Sequence, residues 1–169
     1  MTTVRSTFER RILAALDASP SRIPVLLGGC GTGRTHLMHH LRERLGPTSS
    51  QYVDAERVAT TPERFLRAVT SASPFAHTLA PEPSTPRDAF DQTLVLFDQA
   101  RAAGGGAATF LIDEFLEFRT FESFPGLRQV LQPVRETRAL RADGYFRKLR
   151  GMCSARPALP HFKNNRSQP

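Results

Sequence analysis

Gly28-Gly29-Cys30-Gly31-Thr32-Gly33-Arg34-Thr35 is the stretch on which the reading of this chain turns. It fits the pattern G-x-x-x-x-G-K-[ST] at every defined position except the lysine, where Arg34 stands. Glycines at these places let the backbone curl until successive N–H groups face one point, which makes a cradle for phosphate. A helix opening near Arg34 adds the positive end of its dipole. The predicted cradle comprises Gly28, Gly29, Cys30, Gly31, Thr32, Gly33, Arg34, Thr35 and the following His36. Thr35 puts a hydroxyl where Mg²⁺ bridging two phosphates would sit.

The flanks have the required character. Ile23–Leu27 is a short apolar run that reads as a buried strand. His36–Leu45 reads as a helix with Leu37, Met38, Leu41 and Leu45 on one face, stopped by Gly46–Pro47. A dinucleotide fingerprint fails on register, because G-x-G-x-x-G from Gly29 or Gly31 would need glycine at Arg34 or His36. Asp54 would suit a ribose contact, but it lacks that glycine register.

Upstream, a first helix is predicted from about Thr7 to Ala18. Ser6 and Glu9 make a capping-box pattern, Phe8, Ile12, Leu13 and Leu16 share a face, and Pro20 ends the helix. Downstream, Gln51–Asp54 reads as a second strand. Thr61–Pro62 opens a helix running to about Ala72. Residues Ser73–Thr85 hold three prolines and read as a loop. Thr85–Pro86 with Asp88 starts a further helix that turns Phe90, Leu94 and Phe97 inward, and Gly104–Gly106 breaks it. Ala107–Ile112 is a third strand leading straight into Asp113–Glu114. This alternation predicts an α/β fold with a parallel sheet.

An apolar strand ending in Asp-Glu delivers two carboxylates to the carboxyl edge of a sheet, where α/β proteins bind ligands. Asp113 would join Thr35 in holding the Mg²⁺ shell, and Glu114 would orient and deprotonate an attacking water. Alone, such a string is common. Paired with the glycine loop it makes a two-part nucleotide site.

The 169 residues, 40% of them hydrophobic, suit one domain with a sizeable core. No run approaches the ~18 apolar residues of a membrane span. The charged N-terminus does not resemble a secretory leader, and Cys30 and Cys153 make no disulfide framework. A soluble cytoplasmic protein is expected. The net charge of +7 is unevenly placed. Residues 1–118 carry 12 Arg against 13 acidic residues, a balance of −1, whereas residues 119–169 carry 11 Lys+Arg against 3 acidic residues, a balance of +8. Such a segment either meets nucleic-acid phosphates or is a solvated end.

The chain resembles the P-loop ATPases of the AAA+ and related STAND and origin-recognition-like groups, over about residues 5 to 130. The residues that carry the resemblance are LLGGCGTGRTHL at Leu26–Leu37 (Walker A), TFLIDEF at Thr109–Phe115 (Walker B) and QYVDAERVATTPERFLRAV at Gln51–Val69. It implies a P-loop NTPase three-layer sandwich with a mainly parallel sheet. It also implies ATP and Mg²⁺ as cofactors, with Gly28–Thr35 on the phosphates, Asp113 on the metal and Glu114 as base. No N-K-x-D guanine-reading motif exists, the only lysines being Lys148 and Lys163, so ATP is favoured over GTP.

Two departures follow. Arg34 replaces a compact ammonium with a larger planar fork, which keeps binding and harms γ-phosphate geometry and turnover. The family's sheet also places a strand between the glycine-loop strand and the Asp-Glu strand. After Asp143 no convincing apolar strand exists, Tyr145–Arg150 being the best candidate. Leu127, Val130, Leu131 and Val134 start an amphipathic helix that Pro133 interrupts. The expectation is a partial ATPase domain over 1–143, truncated after the Walker B region, and a basic, poorly ordered tail over 144–169. Its predicted function is Mg²⁺-dependent ATP binding with weak or absent hydrolysis. The alternatives are a small-molecule P-loop kinase and a non-catalytic interaction module. Partners would be the nucleotide, other protein chains or further copies of this one, and nucleic acid through the basic third, with no membrane.

Smaller signals carry less. Phe115, Phe118, Phe121 and Phe124 recur every three residues and read as a face packed on the core rather than a base-stacking platform. His36, His39 and His40 lack further ligands at metal spacing and read as helix surface. Cys30 has the setting for an acidified thiol, and small residues also simply fit there. Arg119 and Arg128 would reach phosphate or remain solvated.

Overall fold

Four parallel strands order the chain. The computed structural model describes residues 2–18, 23–78, 81–129, 131 and 151–155, with the backbone alone at 2–5 and 151–155. The strands β1 (Val25–Leu27), β2 (Ser50–Asp54), β3 (Thr109–Asp113) and β4 (Gly151–Ala155) lie in the order β1-β4-β3-β2. Strand β4 pairs with β1 through Val25↔Cys153 and with β3 through Ile112↔Cys153. This corrects the expectation of a missing central strand: residues 151–155, read from sequence as tail, supply it. The predicted candidate Tyr145–Arg150 lies outside the described residues, as do Val130, Pro133 and Val134.

Side-chain alternation divides β3 between two cores. Phe110 and Ile112 enter a phenylalanine-rich cluster with Val53, Phe65, Phe97, Phe118 and others. Leu111 joins Ile12, Leu16, Met38 and Leu41 on the opposite face, with Leu26 and Tyr52 packed against them. Helices therefore cover both faces. All five residues of β3 are buried, as expected for a strand covered on both sides.

The first of those layers is α1 (Thr2–Leu16) and α2 (Arg34–Leu45). Helix α1 starts earlier than predicted, so Ser6 and Glu9 form no capping box. Glu9 is instead 6% exposed and bridges to α2, accepting from Arg44 Nη1 at 2.6 Å beside His40 Nε2 at 3.3 Å. Ile12 and Leu16 are buried as predicted, but Phe8 is 49% exposed. Helix α2 begins at Arg34, and Gly46, in the left-handed region at φ 89°, closes it by donating to the Arg42 carbonyl.

The second layer holds α3 (Ala55–Val58), α4 (Pro62–Ser71) and α5 (Pro86–Gln99). The predicted caps are in place. Thr61 Oγ1 accepts from the Arg64 amide and Thr85 Oγ1 from the Asp88 amide, each with proline at the first helical position. Helix α5 stops at Gln99, before the glycines. Those glycines instead turn the chain between Arg101 and Ala107, which pair as an isolated antiparallel bridge.

Phe115–Ser123 is a nine-residue 3₁₀ helix. Three residues per turn stacks every third side chain, which explains the spacing of the phenylalanines. Phe115, Phe118 and Phe121 are buried, and Phe124 packs partly against them. Phe65 meets Phe118 edge-on at 4.8 Å and Phe121 at 6.1 Å. Each such pair contributes about 0.5–1.5 kcal/mol beyond burial. The platform is core.

Candidate functional site

The glycine loop runs from β1 into α2. Gly31 and Gly33 have φ of 74° and 78°, in the left-handed region where a side chain is strained. A Cβ on Gly28 would come within 2.8 Å of Thr32 Oγ1, whose hydroxyl donates to the Gly29 carbonyl at 2.9 Å. Backbone conformation and the Thr32–Gly29 hydrogen bond therefore help hold the loop's shape. Cys30 is exposed in the bend, and His36 is exposed on the first turn of α2.

The acidic half arrives from β3. Strands β1 and β3 are two sheet positions apart, about 10 Å, with β4 between them. Side chains from the first turn of α2 span that gap. The Thr35 hydroxyl donates to Asp113 Oδ2 at 2.7 Å. Arg34 Nη2 donates to Glu114 Oε1 at 3.0 Å. The predicted carboxylates thus meet the predicted loop, across 78 and 80 residues of chain.

Strand alternation explains why. Asp113 is two residues from Leu111 and shares its face, the one covered by α2. Glu114 would point elsewhere if the strand continued. Its backbone instead adopts φ 49° and ψ 44°, the only left-handed non-glycine among the described residues. That conformation costs about 1–3 kcal/mol. Two bonds hold it: the Glu114 amide donates to Asp113 Oδ1 at 3.0 Å, and the side chain takes Arg34.

Tyr52 is a member that the sequence reading missed. From β2 its phenol donates to Asp113 Oδ2 at 3.1 Å, and the His39 ring of α2 lies against it at 4.3 Å. Burial, then the neighbouring Asp113, Asp54 and Glu114 carboxylates, push the phenol well above its ordinary pKa. Its signal in the sequence was slight: a polar-tipped aromatic two residues before Asp54, on the same strand face. Asp54 itself stands opposite Asp113 in the ladder, and its Oδ1 is buried with no hydrogen-bond partner among the described residues.

These groups suit a hard cation. A hydroxyl that gives its proton to a carboxylate keeps its oxygen lone pairs for a ligand, and the set is all oxygen. Among the described residues no group of three or more His, Cys, Asp or Glu forms a metal cage. Mg²⁺ characteristically takes one or two protein oxygens and completes its shell with phosphates and water. Arg119 and Arg128 are exposed. His40 faces Glu9. A separate cavity of about 340 Å³ lies beside α4 and α5, lined by Leu66, His77, Asp91, Val95 and others, and shares no residue with the loop.

No family model matches the chain, and no curated protein matches it. Among solved structures, it is similar to the ORC2 protein of Aeropyrum pernix in its ADPNP–ADP complexes, at 16% identity and a TM-score of 0.49. The match covers 91% of this chain and 39% of that one, so the chain spans well under half of its structural neighbour. No described helix is long and apolar enough to cross a membrane.

Proposed function

We propose that the chain binds ATP with Mg²⁺ in the manner of an AAA+-like P-loop ATPase and hydrolyses it weakly or not at all. The observation that carries this reading is the pair of contacts from α2 to the end of β3, Thr35 to Asp113 and Arg34 to Glu114. A merely structural glycine turn has no need of two carboxylates brought to its first helical turn.

The loop amides and the N-terminal end of α2 would take the phosphates. Thr35, with Asp113 behind it, would hold Mg²⁺, which would offset the charge of the phosphates. Arg34 stands between two anions. Without nucleotide its guanidinium serves Glu114; with nucleotide it turns to phosphate and frees that carboxylate to orient water. Turnover is weak because a planar fork replaces the compact ammonium that follows a moving γ-phosphoryl group.

Thermal unfolding with and without MgATP tests the reading. Ligand at 100 times its Kd adds about 2.7 kcal/mol of stability. Wild type is expected to shift, Arg34→Ala to lose the shift, and Asp113→Asn to lose its metal-dependent part. An unshifted wild type would leave a non-catalytic module as the reading. Phosphate transfer to a small acceptor in place of water would mark a kinase.

A further inference from the structure

We propose that Tyr52 is a positioning residue for the metal side of this site, fixing the carboxylate of Asp113 through its phenol. The inference rests on the nucleotide reading above and goes beyond it, because it adds a β2 residue to a site otherwise built from the glycine loop and β3.

Donors from three parts of the chain hold the carboxylate. Thr35 of α2 and Tyr52 of β2 both donate to Oδ2, at 2.7 and 3.1 Å, while the Glu114 amide donates to Oδ1 at 3.0 Å. Donors on both oxygens fix the plane of the carboxylate as well as its position. Tyr52 suits that task because its ring has few rotatable bonds and is itself held, packed beside the Leu111 cluster with His39 against its face.

The contact has a consequence for the threonine. Thr35 donates to the same Oδ2 from the end of the glycine loop. A carboxylate held by Tyr52 accepts the Thr35 proton from a fixed direction, which leaves the threonine oxygen aimed for a cation. Without the phenol, Thr35 and the Glu114 amide would hold the carboxylate less firmly. Groups that orient a metal-side carboxylate in this way are typically worth about 10–100-fold in metal affinity. The Tyr52 hydroxyl bonds Asp113 and not the loop amides among the described residues, so nucleotide affinity without metal should not depend on the phenol.

Tyr52→Phe removes the hydroxyl and keeps the ring that packs on His39. The full chain would be titrated with ADP in chelator. The ADP-loaded protein would then be titrated with Mn²⁺, bound ion being followed by electron paramagnetic resonance. Expected are an ADP affinity within about twofold of wild type, an unchanged unfolding temperature without ligand, and Mn²⁺ affinity lowered about tenfold or more. Unchanged Mn²⁺ affinity would overturn the proposal while leaving the nucleotide reading standing. Parallel losses of metal-free ADP binding and Mn²⁺ binding would also overturn it, because the ring would then be only packing. If wild type binds no ADP under either condition, the nucleotide reading fails and this role for Tyr52 falls with it.

Discussion

Arg34 and Glu114 lie 80 residues apart in the chain and 3.0 Å apart in space, with 10% and 13% of their side chains exposed. The contact joins the first turn of α2 to the residue just past β3. Burial to this degree makes an ion pair costly to break by removing one partner and leaves few donors or acceptors to replace it. Under the proposed function, Glu114 would compete with the nucleotide phosphates for Arg34.

Glu114→Gln should therefore tighten ADP binding by roughly tenfold, the equivalent of about 1.4 kcal/mol for a released charge-assisted bond. Using ADP keeps hydrolysis out of the comparison. Calorimetric titration of both proteins decides it. Equal or weaker affinity in the variant would show that the pair does not oppose binding.

Arg34→Lys puts the compact ammonium in place. Phosphate release is expected to rise by about 10²-fold, the usual worth of one well-aimed transition-state contact, with little change in nucleotide affinity. A steady-state phosphate assay on wild type and variant is sufficient. A variant no faster than wild type would contradict the proposal that Arg34 limits turnover.

The start of α5 gives a pH-dependent prediction. The Ser84 and Thr85 hydroxyls and their amides hold the Asp88 carboxyl below its usual value of 3.8. A lowered folded-state pKa contributes stability that is present above the unfolded value and is lost as pH falls through the folded one. Acid unfolding of Ser84→Ala should thus be less steep below pH 3.8, and its Asp88 carboxyl should titrate closer to the ordinary value by NMR. An unmoved titration would remove the hydroxyl as the cause.

The phenylalanines separate by burial rather than by residue type. Phe118, 2% exposed and edge-on to Phe65, should cost about 3–5 kcal/mol when cut to alanine. Phe8→Ala, at a position 49% exposed, should change stability by no more than about 0.5 kcal/mol. Urea unfolding of the two variants measures both, and similar losses would contradict the two-layer core described above.

Where local chemistry decides structure, the sequence was a sufficient guide. Thr61-Pro62 and Thr85-Pro86 start helices because a threonine hydroxyl satisfies a free amide a few atoms away and proline presets the next residue. Gly31 and Gly33 take left-handed backbone because nothing else in the loop takes it cheaply. The spacing of Phe115, Phe118 and Phe121 reported a buried face, although only the structure showed it to be 3₁₀.

Tertiary structure decided the rest, and each case involves a partner far along the chain. Ser6 and Glu9 match a local cap, yet Glu9 goes to Arg44, because a buried carboxylate gains more from a guanidinium than from an exposed amide. Tyr52 looked like strand filler, since its role depends on Asp113, 61 residues away. Gly151–Ala155 lacks the continuous apolar run that marks a central strand. Its place comes from hydrogen bonding to β1 on one edge and β3 on the other. Backbone pairing of that kind leaves no signature in side-chain order, so the strand that joins the two halves of the site became visible only in the fold.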